Sequence, residues 1–93
     1  MTVQVLLPGV LAALVGGAKH LDVEPTGGTL ADLLDALATE YPLLGRRIRD
    51  ETGQVRRFVN VYVDGDDVRF AQGLGTPVTD GSVVQVLPSV AGG

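Results

Sequence analysis

The chain closes on Val90-Ala91-Gly92-Gly93, directly after an apolar, strand-like run that finishes in Leu87-Pro88. Two consecutive glycines carry no Cβ, so the backbone can enter a slot too narrow for side chains and present a terminal carboxylate on Gly93 to a catalytic centre. A carboxylate becomes an acyl donor only once an oxygen is replaced by a better leaving group, as in an acyl adenylate made with ATP. Such a tail therefore implies an activating partner enzyme, with Gly93 and Gly92 as the reacting end. From Pro88 to Gly93 is six residues, about 20 Å when extended. That length lets a folded body stay outside an enzyme while its end reaches a buried centre. Small residues at a terminus also occur because termini tolerate them, so the rest of the chain has to decide.

The inventory of reactive side chains argues against chemistry by the chain itself. Cysteine is absent and His20 is the sole histidine, which removes thiolate nucleophiles, cysteine metal sites and disulfides, and leaves too few nitrogen ligands for a metal centre or a serine-type triad. His20 reads as a structural or surface residue. Ninety-three residues make one domain with a real core but little room for a deep cleft. The N-terminus lacks a basic signal region, and the longest apolar stretch, Gly9 to Ala18, is too short for a bilayer, so a soluble cytoplasmic protein is expected. A net charge of −4 with four aromatic residues lacks the footprint of a nucleic-acid binder. Locally, Arg46, Arg47, Arg49, Arg56 and Arg57 place five of the seven basic residues in twelve positions. Such a cluster is either a solvated face or a docking patch for an acidic partner.

The elements that must position the tail are legible from periodicity. Val3, Val5 and Leu7 alternate with polar neighbours as a half-buried strand, and Leu21 and Val23 repeat the pattern over Lys19 to Glu24, giving a hairpin with a long apolar connection. Leu11, Leu14 and Val15 in that connection are expected to form a helical turn or tuck against the core edge. Thr29 with Asp32 three residues on predicts a helix N-cap and capping partner. Leu30, Leu33, Leu34 and Leu37 then recur on one helical face, and Tyr41-Pro42 ends the helix. The Gly27-Gly28 pair lacks the companions of a phosphate-binding motif and reads as a turn.

Leu43 to Arg49 suggests a short helical turn, and Asp50 to Val55 a polar loop. Phe58 to Val63 reads as a strand with Val59, Val61 and Val63 on one face and Phe58, Asn60 and Tyr62 on the other. Asp64-Gly65 supplies hairpin-turn chemistry, with a short returning strand through Val68 and Phe70. Asp64, Asp66 and Asp67 lack calcium-loop spacing and read as turn formers. Ser82 to Pro88 is expected to be a central strand, with Val84 and Val86 facing the helix. Phe58, Tyr62, Val83 and Leu87 are then left on an apolar, uncovered sheet face suited to docking. The result is an α+β fold, one helix covering one face of a mixed sheet of four to five strands, with a domain at 1–87 and a tail at 88–93.

These pieces resemble the ubiquitin-like β-grasp, and within it the ThiS and MoaD group of sulfur carriers, over nearly the whole chain. The run Asp80-Gly81-Ser82-Val83-Val84-Gln85-Val86-Leu87-Pro88-Ser89-Val90-Ala91-Gly92-Gly93 is similar to the D-G-x-x-V-x-x-x-P-P-V-x-G-G ending of the MoaD type, with Ser89 in place of the second proline. Arg57 to Val63, continued by Asp64 to Phe70, is most similar to the CysO-like branch that serves cysteine synthesis. The resemblance implies that Gly93 is adenylated by a ubiquitin-activating-type adenylyltransferase and sulfurtransferase using ATP and magnesium, and becomes a thiocarboxylate. Its sulfur would attack an aminoacrylate on pyridoxal phosphate (PLP) in a cysteine synthase, and a zinc metalloprotease would release cysteine. It implies no cofactor bound by this chain, which is a carrier and substrate rather than an enzyme, and an enzyme-facing interface of Leu87, Phe58, Val90 and Ala91. The same ending suits a molybdopterin synthase small subunit, a thiamine-pathway carrier, a protein modifier or a non-catalytic adaptor.

Overall fold

Strand alternation and one amphipathic helix build a two-layer α+β domain. The computed structural model describes residues 1–88. β1 (Val3–Leu6) buries Val3 and Val5 and pairs antiparallel with β2 (His20–Val23), Val3 opposite Val23 and Leu6 opposite His20. Between them the apolar connection does become helical. α1 (Gly9–Ala12) runs into a 3-10 turn at Ala13–Val15, closed by Gly16 in the left-handed region at φ +71°. Ala12 is buried, and Leu11 and Val15 pack against the core.

α2 (Leu30–Glu40) starts where its cap was expected. The Thr29 hydroxyl accepts from the Asp32 amide at 3.3 Å, and the Asp32 carboxylate accepts from the Thr29 amide at 3.2 Å, so two orphan donors are satisfied reciprocally. The next orphan, the Leu30 N–H, donates to the Thr76 carbonyl at 2.8 Å, which ties the 76–78 segment to the helix start. Leu30, Leu33, Leu34 and Leu37 are all buried against the sheet. Tyr41 ends α2, and Pro42, with no N–H to lose, opens α3 (Pro42–Ile48), which buries Leu44 and Ile48. The two helices cross closely at Gly45. A Cβ there would lie 2.5 Å from the Ala38 Cβ and 2.9 Å from its Cα.

β3 (Val59–Val63) turns through Asp64-Gly65 into β4 (Asp66–Asp67), and Val63 pairs with Asp66 across a two-residue loop whose residues both have positive φ. That is the mirror-image turn whose twist suits a hairpin. Two expectations change here. The strand begins at Val59 rather than Phe58, because the Val59 amide donates to the Arg56 carbonyl at 3.0 Å and closes a turn containing Phe58. The returning strand is only Asp66–Asp67. Val68 and Phe70 lie instead in a 3-10 turn, Val68–Phe70, because the Asp67 carboxylate caps the Arg69 amide at 2.9 Å while Val68 turns into the core.

β5 (Val83–Pro88) is central, as its composition implied. The order is β2-β1-β5-β3-β4, with β5 parallel to β1 and antiparallel to β3. Val84 and Val86 are buried beside Val61, Val63 and the α2 leucines. α3 adds a second helix to the one expected over the covered face. Among the described residues no helix is long and apolar enough to cross a membrane.

The close helix crossing yields a stability test. Alanine at position 45 gains about 1 kcal/mol in helix propensity, but overpacking against the Ala38 backbone costs about 1–3 kcal/mol. Gly45→Ala is therefore expected to lower the denaturation midpoint in urea and Gly45→Val to lower it further. An unchanged or raised midpoint for Gly45→Ala would show that the helices part at no cost.

Candidate functional site

The end of the central strand and the open sheet face beside it form the candidate site. β5 starts in a tight set of hydrogen bonds. The Asp64 carboxylate accepts from the Val83 amide at 2.9 Å and the Ser82 hydroxyl at 3.2 Å, and the Ser82 hydroxyl accepts from the Thr79 amide at 2.9 Å. Asp80 and Gly81 hold the start of β1. The Thr2 amide donates to the Asp80 carboxylate at 2.9 Å, and the Gly81 amide, at φ +85°, donates to the Thr2 carbonyl. The parallel register of Gln4 with Val83 follows from these contacts. They set where β5 begins, and so where it leaves the sheet: Pro88 lies opposite Val59 and Leu87 opposite Asn60.

Of the residues expected to act, Gly93, Gly92, Val90 and Ala91 lie outside the described residues. Leu87 is half-buried on the uncovered face. Phe58 is 54% exposed in the turn before β3, near the Val59–Pro88 pair. Tyr62 and Val83 share that uncovered face and are half-buried. The face is less apolar than expected. Gln85 stands between Leu6 and Tyr62, Asn60 beside Leu87 and Gln4 beside Val83, while His20 and Asp22 line its outer edge 3.3 Å apart. Apolar side chains interleaved with neutral polar ones suit an interface that must also remain wet when free.

Leu6, at the middle of that face, escaped the sequence reading, which used Leu7 for the core. The Leu6-Leu7 doublet was the signal, since consecutive strand residues point to opposite faces. Phe70 was also misplaced; it is 88% exposed at the end of its 3-10 turn.

The arginine cluster divides. Arg49 is bound to Asp35 of α2 at 2.7 Å, and the Arg56 Nε donates to the Arg46 carbonyl at 2.6 Å. Arg46, Arg47, Arg56 and Arg57 remain exposed. Two carboxyls here titrate below the usual carboxylate range. For Asp50 the largest cause is the hydrogen bond from the Thr52 hydroxyl, aided by the Thr52 and Gln54 amides and the nearby Arg56. For Asp67 it is the Arg69 guanidinium, then the Arg69 amide. Asp67 and Asp64 thus serve as turn and strand anchors. Among the described residues no group of three or more His, Cys, Asp or Glu could hold a metal ion.

A mixed five-stranded sheet with its last strand at the centre and a capped helix across one face is the ubiquitin-like β-grasp. The chain belongs to the ThiS family, whose model matches residues 5–93. It is similar to the sulfur carrier protein CysO of Mycobacterium tuberculosis, 41% identical over 95 residues covering 100% of each chain. The crystal structure of M. tuberculosis CysO matches with a TM-score of 0.83 at 38% identity, over 95% of this chain and 99% of that one. A chain of the crystal structure of the Amycolatopsis orientalis BexX/CysO complex matches with a TM-score of 0.79 at 37% identity, over 98% of this chain and 99% of that one. Small archaeal modifier protein 3 of Haloferax volcanii is 44% identical over 66 residues, 70% of each chain.

A carboxyl whose pKa falls on folding adds stability above its unfolded value, and that stability is lost as pH drops through the folded value. The Asp50 and Asp67 contacts are therefore expected to persist at neutral pH and to weaken as pH falls below the ordinary carboxylate range. In Arg69→Gln, a carbon-detected carboxyl titration should show the Asp67 midpoint moving up while that of Asp50 stays. An Asp67 midpoint that does not move would show that the guanidinium does not hold the charge.

Proposed function

We propose that this ThiS-family protein is a sulfur carrier of the CysO type, with Gly93 as the atom-bearing end. The observation that carries the reading is that the family match runs to residue 93 and so includes Gly92-Gly93. Full-length identity to a protein named as a sulfur carrier supports it. One oxygen of the Gly93 carboxylate attacks the α-phosphorus of ATP in a partner adenylyltransferase, and pyrophosphate leaves. Sulfur from a donor then displaces AMP, leaving a thiocarboxylate whose sulfur, not its oxygen, is the better nucleophile. This accounts for a carrier without cysteine, since the sulfur rides on the backbone terminus.

The acceptor we propose is held by a PLP-dependent cysteine synthase, with a zinc metalloprotease releasing the product. ATP, magnesium, PLP and zinc all belong to those partners. The chain's own part is to dock and to deliver. Leu87, with Leu6, Tyr62 and Val83 on the same face and Phe58 at its end, offers the contact, and Val90 and Ala91 lead from it to the glycines. The cytoplasm, where ATP and reduced sulfur donors coexist, is the compartment this requires.

A second reading, a modifier joined through Gly93 to lysines of other proteins, is favoured by the similarity to the Haloferax modifier. Intact-mass measurement of protein taken from its native cell, with alkylation to trap sulfur, separates the two. Replacement of one terminal oxygen by sulfur is expected. High-mass conjugates that vanish when Gly93 is deleted, without any thiocarboxylate, would favour the modifier. Deletion of Gly93 should leave the urea midpoint unchanged and abolish adenylation; retained adenylation would overturn Gly93 as the acceptor. Leu87→Ala is expected to weaken binding to the activating enzyme by about 2 kcal/mol as a hot-spot truncation, measured by calorimetry. Unchanged affinity would remove Leu87 from the interface.

A further inference from the structure

On the helix side of the sheet, at the open edge of β3, a cavity of about 300 Å³ is lined by Val59, Val61, Val68 and Leu74 and bordered by Arg56 and Arg57. It is distinct from the uncovered face, because Val59 and Val61 point to the opposite side from Asn60 and Tyr62. β4 pairs only with Tyr62 and Val63, so among the described residues Val59 to Val61 have no strand neighbour on that side. That edge is nevertheless closed to a peptide main chain: Val61 is buried and the Val59 amide already donates to the Arg56 carbonyl. An aliphatic pocket rimmed by arginines is an arrangement by which acidic peptide segments are bound, a side chain in the pocket and carboxylates on its rim.

The charges bordering the cavity are only partly used internally. Arg69, which also borders it, is engaged by Asp67 and Asn60. Arg56 uses its Nε on the Arg46 carbonyl, leaving its two terminal nitrogens without a partner among the described residues. Arg57 makes no side-chain hydrogen bond or ion pair among the described residues. In a chain of net charge −4, the Arg57 guanidinium and the terminal nitrogens of Arg56 beside an aliphatic pocket form a local site of opposite sign to the net charge. No aromatic residue lines the cavity to stack a base.

We propose that this cavity is a second docking site, which takes an acidic segment of a partner protein, an aliphatic side chain in the Val59–Leu74 pocket and flanking carboxylates on Arg56 and Arg57. The site does not depend on the carrier chemistry, and its test requires neither an activating enzyme nor Gly93. Carboxylates would pair with the guanidinium fork while the aliphatic group displaces water from the apolar side chains, Val55 among them. The partner would thus hold the body from the edge of β3 while the tail leaves from Pro88, paired with Val59 at the end of that same strand.

The test is a titration of the isotope-labelled full chain, followed by its amide NMR signals, with acetylated Glu-Asp-Leu-Glu-Asp. Saturable shifts are expected at Val59, Val61, Val68, Gly73 and Leu74. Replacing the peptide's leucine by serine, or substituting Arg57→Glu in the protein, should each weaken binding about tenfold, with amide dispersion confirming that the variant is folded. In the unsubstituted protein, raised salt should weaken binding as well, which checks the charge contribution without any variant. Shifts confined to Leu6, Tyr62 and Leu87, or no saturation at millimolar peptide, would overturn the proposal. Equal affinity for the leucine and serine peptides, with inorganic phosphate causing the same shifts, would overturn it in favour of a plain anion site.

Discussion

β5 occupies the middle of the sheet, parallel to β1 on one side and antiparallel to β3 on the other. Both neighbours supply backbone partners, so the strand carrying the C-terminal end is the best supported in the molecule. A parallel pair cannot be closed by a tight turn and requires a crossover. Here that crossover includes α2, which lies on the sheet and buries its leucines against Val84 and Val86. The last strand is therefore formed only when helix and sheet are packed together. Pro88, where the strand ends, therefore sits at a fixed place on a firm body, as the proposed delivery of Gly93 to a partner requires.

The small polar contacts around β5 act through position rather than through bulk energy. Asp64, Ser82 and Thr79 form one cluster, and Asp80 with Gly81 clasps Thr2. Each bond contributes about 1 kcal/mol on ordinary grounds, far less than the buried leucines. Yet a slip of one residue would invert every side chain of β5 between core and surface. The aspartates that look like solvated turn residues thus decide which face Leu87 occupies. The same economy holds at the arginines, where Arg49 is committed to Asp35 while Arg56 and Arg57 remain at the edge of a cavity.

The two sides of β3 then have different uses. Its outward residues, Asn60 and Tyr62, join Leu6, Val83 and Leu87 on a mixed face next to the exit of the chain. Its inward residues, Val59 and Val61, are shared between the core and the cavity at the open edge. The two proposed docking sites thus lie on opposite sides of one strand, so that one small domain could hold two partners by separate handles.

Much of this was legible in the chain alone because it depends on local period and local chemistry. Strands with every second residue apolar, four leucines at helical spacing, the Thr29–Asp32 cap and the Asp64-Gly65 turn are set by neighbours within a few residues. The Gly-Gly ending, with the motif before it, marked the candidate chemistry in the same way. Other features depend on residues far apart and carry no local mark. Val68 and Phe70 alternate like a strand, but the Asp67 cap and the burial of Val68 curl them into a 3-10 turn. Phe58 fits the β3 pattern, but the Val59–Arg56 hydrogen bond excludes it. Gly45 looks like an ordinary helix interruption until Ala38 is set against it, and nothing in the spacing of Val59, Val68 and Leu74 reveals that they enclose one cavity. Period and composition determined the elements, and the Gly-Gly ending with the family resemblance suggested the candidate chemistry; only packing, through distances between residues remote in sequence, decided which surfaces those elements left open.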